Sequence, residues 1–144
     1  FKSMHSVISQ DFPRAIIDGF LIQEMSEPGL EIILGINNTE GFGPILMVGF
    51  GGIHVEKTKD VAFAPVPLGE DDCNQLLKKL KGSVLLDADK YDVPALIDLM
   101  AALSDFAESS SDYIREIDLN PVLVHSKGQG VTVIDALMLK HQQH

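Results

Sequence analysis

Three oxygen-bearing side chains alternate near the C-terminal end of the sequence: Glu116, Asp118 and Asn120. Alternate residues of an extended strand face the same side, so these three would share one face while Ile117 and Leu119 point to the other. Mg²⁺ is a hard cation that takes carboxylate and amide oxygens and keeps waters or phosphate oxygens in its remaining positions. The spacing therefore indicates a divalent-metal site. The alternative is a solvated acidic face that ends in an Asn-Pro turn.

A fourth oxygen ligand is available from Asp135, which lies in the next predicted strand. Residues 126–130 have the composition of a turn, so the strands on either side are expected to pair as a hairpin. The pairing would bring Asp135 within reach of the patch that holds Asp118 and Asn120.

Two glycine-rich stretches, residues 41–44 and 49–52, could approach a phosphate. Glycine lets the backbone come close to a ligand and present its N–H groups as an anion nest. Neither stretch is a Walker A loop, because no Gly-Lys-Ser/Thr follows. Neither is a dinucleotide fingerprint, because no helix is predicted directly after it. The alternative is that both stretches are ordinary hairpin turns.

A third candidate is the polar sequence Gln23, Glu24 and Met25, at the end of a predicted strand. Polar groups at a strand end can bind the hydrogen-bonding edge of a ligand. The alternative is an exposed strand terminus with no ligand.

The elements that would position these residues come in the order strands, helices, hairpin. Alternation and turn signals predict strands over residues 16–25, 30–36, 45–50, 53–56, 61–66, 114–124 and 131–136. Helical spacing predicts helices over residues 70–81 and 91–106, with a further helix through Lys140, and Pro13 would end any helix before it. The first two strands should form a hairpin. The order predicts an α+β fold, a largely antiparallel sheet covered by helices.

Composition excludes several classes of function. The chain has 144 residues, one domain in size, and a formal net charge of -10 with two arginines, Arg14 and Arg115. Nucleic acids and anionic membranes both need a basic surface, so neither is an expected partner. Apolar stretches such as residues 45–48 are too short to span a bilayer. The single cysteine, Cys73, has acidic neighbours, so it should be unreactive, and its being alone fits a reducing cytoplasm.

Seven short motifs follow one another along the chain: residues 19–25 (GFLIQEM), 29–35 (GLEIILG), 42–44 (FGP), 51–56 (GGIHVE), 59–63 (KDVAF), 116–121 (EIDLNP) and 133–136 (VIDA). In their order, these motifs resemble the ATP-grasp domain of NDP-forming acyl-CoA synthetases, which include the succinyl-CoA synthetase β chain. The resemblance runs from Gly19 to Ala136. It implies the larger, C-terminal part of an ATP-grasp domain.

The resemblance also implies where ATP and its metal would bind. ATP lies between two lobes in this family, and the hinge backbone at Gln23, Glu24 and Met25 would bind the adenine. Glu31 matches an acidic position on the strand that faces the nucleotide, and the Gly51-Gly52 loop would lie near the transferred phosphate.

The metal ligands follow from the same resemblance. Asn120 and Asp135 match the residues that hold Mg²⁺, and Asp118 matches the accompanying acidic position.

Family members interconvert an acyl-CoA, ADP and phosphate with the free acid, CoA and ATP. They pass through an acyl phosphate and a phosphohistidine carried on a swinging loop of another domain, and CoA is bound by another domain. The first ATP-grasp lobe, with its nucleotide-binding lysine, would precede Phe1. Residues 1–144 would then be a single partial ATP-grasp domain, a processed chain or part of a longer one, that needs its remaining domains or a partner subunit to turn over.

One departure keeps other functions open. The family usually has an arginine soon after Asp-Val-Ala-Phe, and Ala64 and Pro65 stand there instead. A missing cation favours a non-catalytic ATP-grasp-like module, for instance in a protein lysine acetyltransferase. A third possibility is an ATP-grasp ligase that joins a carboxylate to an amine, but residues 51–56 argue for the CoA branch.

Overall fold

The computed structural model describes residues 1–39, 41–52 and 60–141. Over these residues the chain forms a six-stranded antiparallel sheet and three α-helices, so the predicted α+β class is confirmed. The elements are α1 (Lys2–Asp11), β1 (Leu30–Thr39), β2 (Gly43–Phe50), β3 (Val61–Pro65), α2 (Glu70–Lys78), a short 3₁₀ helix (Ser83–Leu85), α3 (Val93–Ser109), β4 (Ile114–Val124), β5 (Val131–Val133) and β6 (Ala136–Lys140).

The sheet is centred on β1, which pairs with β2 on one side and β4 on the other. β3 is the edge strand beyond β2, and β5 and β6 pair with successive parts of β4. The β1–β2 hairpin is tighter than the strands predicted over residues 30–36 and 45–50 would make it, because the pairing continues to Thr39 and Gly43. Gly43 has a φ of 74°, a conformation that favours glycine.

Helices α2 and α3 cover one face of the sheet. Every second residue of the central strands points into this layer, as in Ile32, Leu34 and Ile36 of β1, and all three are buried. The N-terminus of α3 is capped by Asp92, whose side chain accepts a hydrogen bond from the Ala95 N–H. The core side chains on the helices are Cys73, Leu76, Leu77, Leu80, Leu96, Met100, Leu103 and Ala107.

The opposite face of the sheet, here called the open face, carries Ile33, Met47 and Phe63 between its polar residues. Phe63 is 57% exposed. No helix of the described residues packs on this side, so the open face is where a ligand can reach the sheet.

The predicted strand over residues 16–25 is wrong. Residues 15–29 form neither helix nor strand, and none of residues 1–29 is buried. Ile16, Leu21, Ile22 and Met25 are each at least 84% exposed. A strand needs a neighbour to complete its ladder, and the described part of the chain pairs no strand with this segment. Helix α1 ends before Pro13, as predicted.

The C-terminal prediction is also wrong. The strand expected over residues 131–136 ends at Val133, and the expected helix through Lys140 is the strand β6. Ala136 lies opposite Leu119 and Leu137 opposite Asp118, so pairing with β4 decides the conformation of this short segment. The strand predicted over residues 53–56 lies outside the described residues. No helix that the structure describes is long and apolar enough to cross a membrane.

Candidate functional site

Where β2 ends, Glu31, predicted to face the nucleotide, meets the Gly51-Gly52 loop, predicted to lie near the transferred phosphate. The Gly51 N–H donates to the Glu31 carbonyl at 2.7 Å. A Cβ atom at Gly51 would lie 2.8 Å from the Glu31 Cβ, and one at Gly52 would lie 2.7 Å from Glu31 Oε2. Gly52 also has a φ of 66°. Only glycine fits at these two positions, so the loop backbone packs directly against the Glu31 side chain.

The alternating polar residues of β4 lie along one cleft. Glu116, Asp118 and Asn120 line a depression of about 600 Å³ on the open face, here called the small cleft. Asp118 lies opposite Gly35 of β1, and the Met47 side chain packs over this glycine, where an added Cβ would lie 3.3 Å from the Met47 Cε. Ile117 is buried among the core residues on the opposite face.

A β-bulge shapes the strand where these residues end. Asn120 and Pro121 together lie opposite Ile33, because the register moves from Ile32–Val122 to Leu34–Leu119. Bulges redirect side chains and often lie beside functional sites.

The bulge also brings Asp135 next to Asn120. The Asn120 N–H donates to the Asp135 carbonyl at 3.1 Å, and the Ile134 N–H donates to the Pro121 carbonyl at 3.0 Å. The Asp135 side chain accepts from the Ala136 N–H at 2.9 Å, and it lies outside the walls of the small cleft. Asp135 is thus joined to Asn120 by a backbone hydrogen bond. It lies in the link between β5 and β6, not inside a strand as predicted.

The donor set fits a hard cation. Asp118, Asn120 and Asp135 offer only carboxylate and amide oxygens, the ligands of Mg²⁺. Within residues 1–39, 41–52 and 60–141, no three His, Cys, Asp or Glu side chains are grouped to hold a metal ion. The predicted set has two carboxylates and one amide, so a metal here would complete its shell with water or phosphate oxygens.

The predicted adenine-binding residues line a different, larger cleft. Gln23, Glu24 and Met25 form one wall of an open space of about 1240 Å³, here called the large cleft. Ile134 lies on the opposite wall. Since Ile134 is bonded through the backbone to Pro121, beside Asn120, the two clefts adjoin across the link between β5 and β6.

Sequence reasoning missed His125, a buried residue that also lines the large cleft. Its Nε2 atom lies 2.8 Å from the Thr132 hydroxyl oxygen, and its Nδ1 atom lies 3.4 Å from the Pro28 carbonyl oxygen. The signal that could have found it is the hairpin itself, because a register set by the turn over residues 126–130 places Thr132 near His125.

Ala64, the position where the resemblance expects an arginine, does not face the small cleft. It packs against the helix-covered core, while its neighbour Phe63 lines the small cleft. An arginine here would start from the opposite face of the sheet. An alanine at this position therefore takes no side chain out of the wall of the small cleft.

Cys73 lies in the core, with no exposed surface. Burial raises the pKa of the Cys73 thiol, and the negative charges of Asp72 and Asp105 raise it further. The thiolate is the reactive form, so the prediction of an unreactive cysteine fits the structure.

Comparison with known proteins identifies the family of this chain. The family model for the ATP-grasp domain matches residues 1–139. The chain is 36% identical over 143 residues to the β subunit of acetate–CoA ligase [ADP-forming] II from Pyrococcus furiosus, covering 96% of this chain and 61% of that protein.

Solved structures give the same result. PH1788 from Pyrococcus horikoshii Ot3 superposes with a TM-score of 0.81 at 35% identity, covering 99% of this chain and 61% of that one. Acetyl-coenzyme A synthetase 1 of Ca. Korarchaeum cryptofilum, solved with coenzyme A and Mg-AMPPCP, superposes with a TM-score of 0.74 at 34% identity, covering 83% and 56%. The chain thus spans about three fifths of these relatives. It belongs to the ATP-grasp family, in the branch of the NDP-forming acyl-CoA synthetases.

Proposed function

We propose that this chain is the ATP-binding part of an NDP-forming acyl-CoA synthetase, which interconverts an acyl-CoA, ADP and phosphate with the acid, CoA and ATP. The names of its relatives support the proposal, because the P. furiosus protein is an ADP-forming acetate–CoA ligase subunit. The observation that carries it is the meeting of Glu31 with Gly51 and Gly52 on the sheet that also joins Asn120 to Asp135.

The electrostatics of the clefts support a requirement for a metal. Among the described residues, Lys127 is the one lysine or arginine that lines either cleft, and its ammonium group lies 3.2 Å from Asp89. Glu116 and Asp118 add negative charge to the small cleft. A nucleotide triphosphate would be repelled by this surface unless a cation lay between them.

Each predicted residue has a role in this proposal. Asn120 and Asp135 hold Mg²⁺, with Asp118 at their side, and the metal supplies charge neutralisation for the phosphates. Glu31 and the Gly51-Gly52 loop lie beside the transferred phosphate. The chain positions the nucleotide, and positioning together with electrostatic stabilisation is what phosphoryl transfer needs.

The hinge segment, defined as residues 23–28, contributes the adenine site. Gln23, Glu24 and Met25 would present their backbone to the base across the large cleft. The apolar Val133 and Ile134 on the opposite wall offer the base a surface.

The rest of the protein would supply what this chain lacks. We infer that a first ATP-grasp lobe covers the exposed apolar side chains of residues 16–25. We also infer that another domain or subunit brings CoA and the phosphohistidine. The K. cryptofilum structure, with coenzyme A bound and its phosphohistidine segment pointing towards the nucleotide site, supports this arrangement.

The test is calorimetry of Mg-ATP binding to the full-length protein that carries this chain. Asn120→Ala and Asp135→Ala should each weaken binding by roughly tenfold to a hundredfold, the effect of losing a bond to a charged group. Asn37→Ala is the matched control, because Asn37 lines the same cleft opposite Glu116 and should leave the affinity unchanged. Unchanged Mg-ATP affinity in both test variants would remove the metal assignment.

A further inference from the structure

His125 lies at the end of β4 with 8% of its surface exposed, directly beneath the point where the hinge segment joins the sheet. Its Nδ1 atom lies 3.4 Å from the carbonyl oxygen of Pro28, the last residue of the hinge segment. Its Nε2 atom lies 2.8 Å from the Thr132 hydroxyl oxygen. The ring therefore links the hinge segment to β5, on the opposite side of the large cleft.

The two partners determine which ring nitrogen carries the proton. The Pro28 carbonyl can only accept a hydrogen bond, so Nδ1 must be the donor. In the neutral ring Nε2 is then an acceptor, and the Thr132 hydroxyl donates to it. Thr132 thus orients the ring and fixes the tautomer that reaches Pro28.

His125 is itself held in place by α3. Its carbonyl accepts from the Asp92 N–H at 2.9 Å, and the Asp92 side chain accepts from the Gly130 N–H at 2.7 Å. The N-terminus of α3 thereby fixes the base of the β4–β5 hairpin. The His125 backbone can therefore move only if the N-terminus of α3 or the base of the β4–β5 hairpin moves with it.

The hinge segment has little else to hold it. Within the described residues, the bond at Pro28 is the one side-chain hydrogen bond between residues 16–28 and the sheet. The next residue, Gly29, passes so close to β4 that an added Cβ would lie 2.8 Å from the Val124 carbonyl oxygen. The hinge segment is attached at this one end.

We propose that His125 is the positioning residue of the hinge segment, and that Thr132 orients it. The pair sets the distance between the hinge backbone and the opposite wall of the large cleft, and so controls how well that backbone meets a nucleotide base. The proposal rests on the proposed function, since it takes the hinge segment to be the adenine site.

Steady-state kinetics and Mg-ATP calorimetry of the full-length protein test this proposal with a matched pair of variants. Thr132→Val keeps the shape and removes the hydroxyl, whereas Thr132→Ser keeps the hydroxyl. Thr132→Val should raise both the KM for ATP and the Kd of Mg-ATP by roughly threefold to tenfold, the effect of one neutral hydrogen bond. Thr132→Ser should stay near the wild type, and kcat and the KM for CoA should not move in either variant.

Two further variants are needed, one that changes His125 directly and one that serves as a control. His125→Asn should raise the same constants as Thr132→Val, and a thermal melt establishes that each variant is folded. Ser109→Ala removes an exposed hydroxyl at the C-terminal end of α3, outside both clefts, and should have no effect. Unchanged ATP constants in folded Thr132→Val, an equal loss in Thr132→Ser, or a parallel rise in the KM for CoA would each overturn the role of His125. A wild-type protein that does not bind Mg-ATP would instead overturn the proposed function, and this inference with it.

Discussion

Residues 1–29 and residues 30–141 are both apolar enough to pack, yet only the second region does so. The first region buries no residue and leaves side chains such as Leu21 exposed. The second places Leu34 and its neighbours in a core closed by α2 and α3. The family model nevertheless covers both regions, so the first belongs to the domain as much as the second. Apolar sequence forms a strand here only where a partner surface exists, whereas helix α1 makes its hydrogen bonds internally and forms without a buried residue.

The same difference divides the candidate site. Asp118, Asn120 and Asp135 belong to the packed region, where a backbone hydrogen bond joins Asn120 of β4 to Asp135 in the link between β5 and β6. Gln23, Glu24 and Met25 belong to the exposed region and depend on the contact at Pro28. The proposed metal-binding half of the site should therefore be rigid before ligand binds, whereas the proposed adenine-binding half is positioned by few contacts.

The largest effect is expected from truncating a core side chain. Leu34 has no exposed surface, and Leu34→Ala should lower the free energy of unfolding of the isolated chain by about 2–5 kcal/mol in urea denaturation. Leu21→Ala removes the same atoms from a side chain that is 84% exposed, so it should change that energy by less than about 0.5 kcal/mol.

The full-length protein sharpens this comparison. If a first ATP-grasp lobe covers residues 16–25, Leu21→Ala should become clearly destabilising there. A Leu21→Ala cost as large as that of Leu34→Ala in the isolated chain would contradict the described burial.

A smaller effect is expected at the glycine loop. Gly51→Ala puts a Cβ 2.8 Å from the Glu31 Cβ and should cost about 1–3 kcal/mol of unfolding free energy by chemical denaturation. Gly19→Ala is the control from the exposed region, because a Cβ there has no atom within 4 Å. It should be neutral or slightly stabilising. Equal effects at the two glycines would mean that the loop does not pack on Glu31.

Much of the fold could be predicted from local signals. Strand β4 was predicted over its full length, and α3 was marked by its apolar spacing. The strand over residues 16–25 and the helix through Lys140 could not be corrected from sequence. Their conformations depend on whether a partner strand is present, and local alternation carries no information on that.

The chemistry of the candidate site was more predictable than its geometry. Spacing alone indicated that Glu116, Asp118 and Asn120 share a face. The bulge at Asn120 and the contact of His125 with Pro28 depend on strand register, and register is set by turn geometry and pairing across the sheet. Residues 53–59, which include most of the Gly-Gly-Ile-His-Val-Glu motif, lie outside the described residues.

The smallest effect concerns Cys73 and tests whether its thiol is buried away from water in the core between the sheet and the helices. Because burial and the nearby Asp72 raise the pKa of the folded thiol, folding favours its protonated form. This contribution is fully present below the pKa of the unfolded thiol, about 8.5, and is lost as pH rises through the folded pKa. The Tm of the wild type should therefore fall more steeply above about pH 8.5 than that of Cys73→Ala. Parallel Tm curves for the two proteins would contradict a buried thiol.

The central claim is that β4 and the link between β5 and β6 hold one divalent cation beside a nucleotide. A crystal structure of the full-length protein with Mg²⁺ and a non-hydrolysable ATP analogue tests it most directly. The account predicts a metal ion about 2.0–2.1 Å from side-chain oxygens of Asn120 and Asp135, with Asp118 beside them and phosphate oxygens completing the shell. A nucleotide whose metal lies elsewhere, with these oxygens turned away from it, would contradict the account.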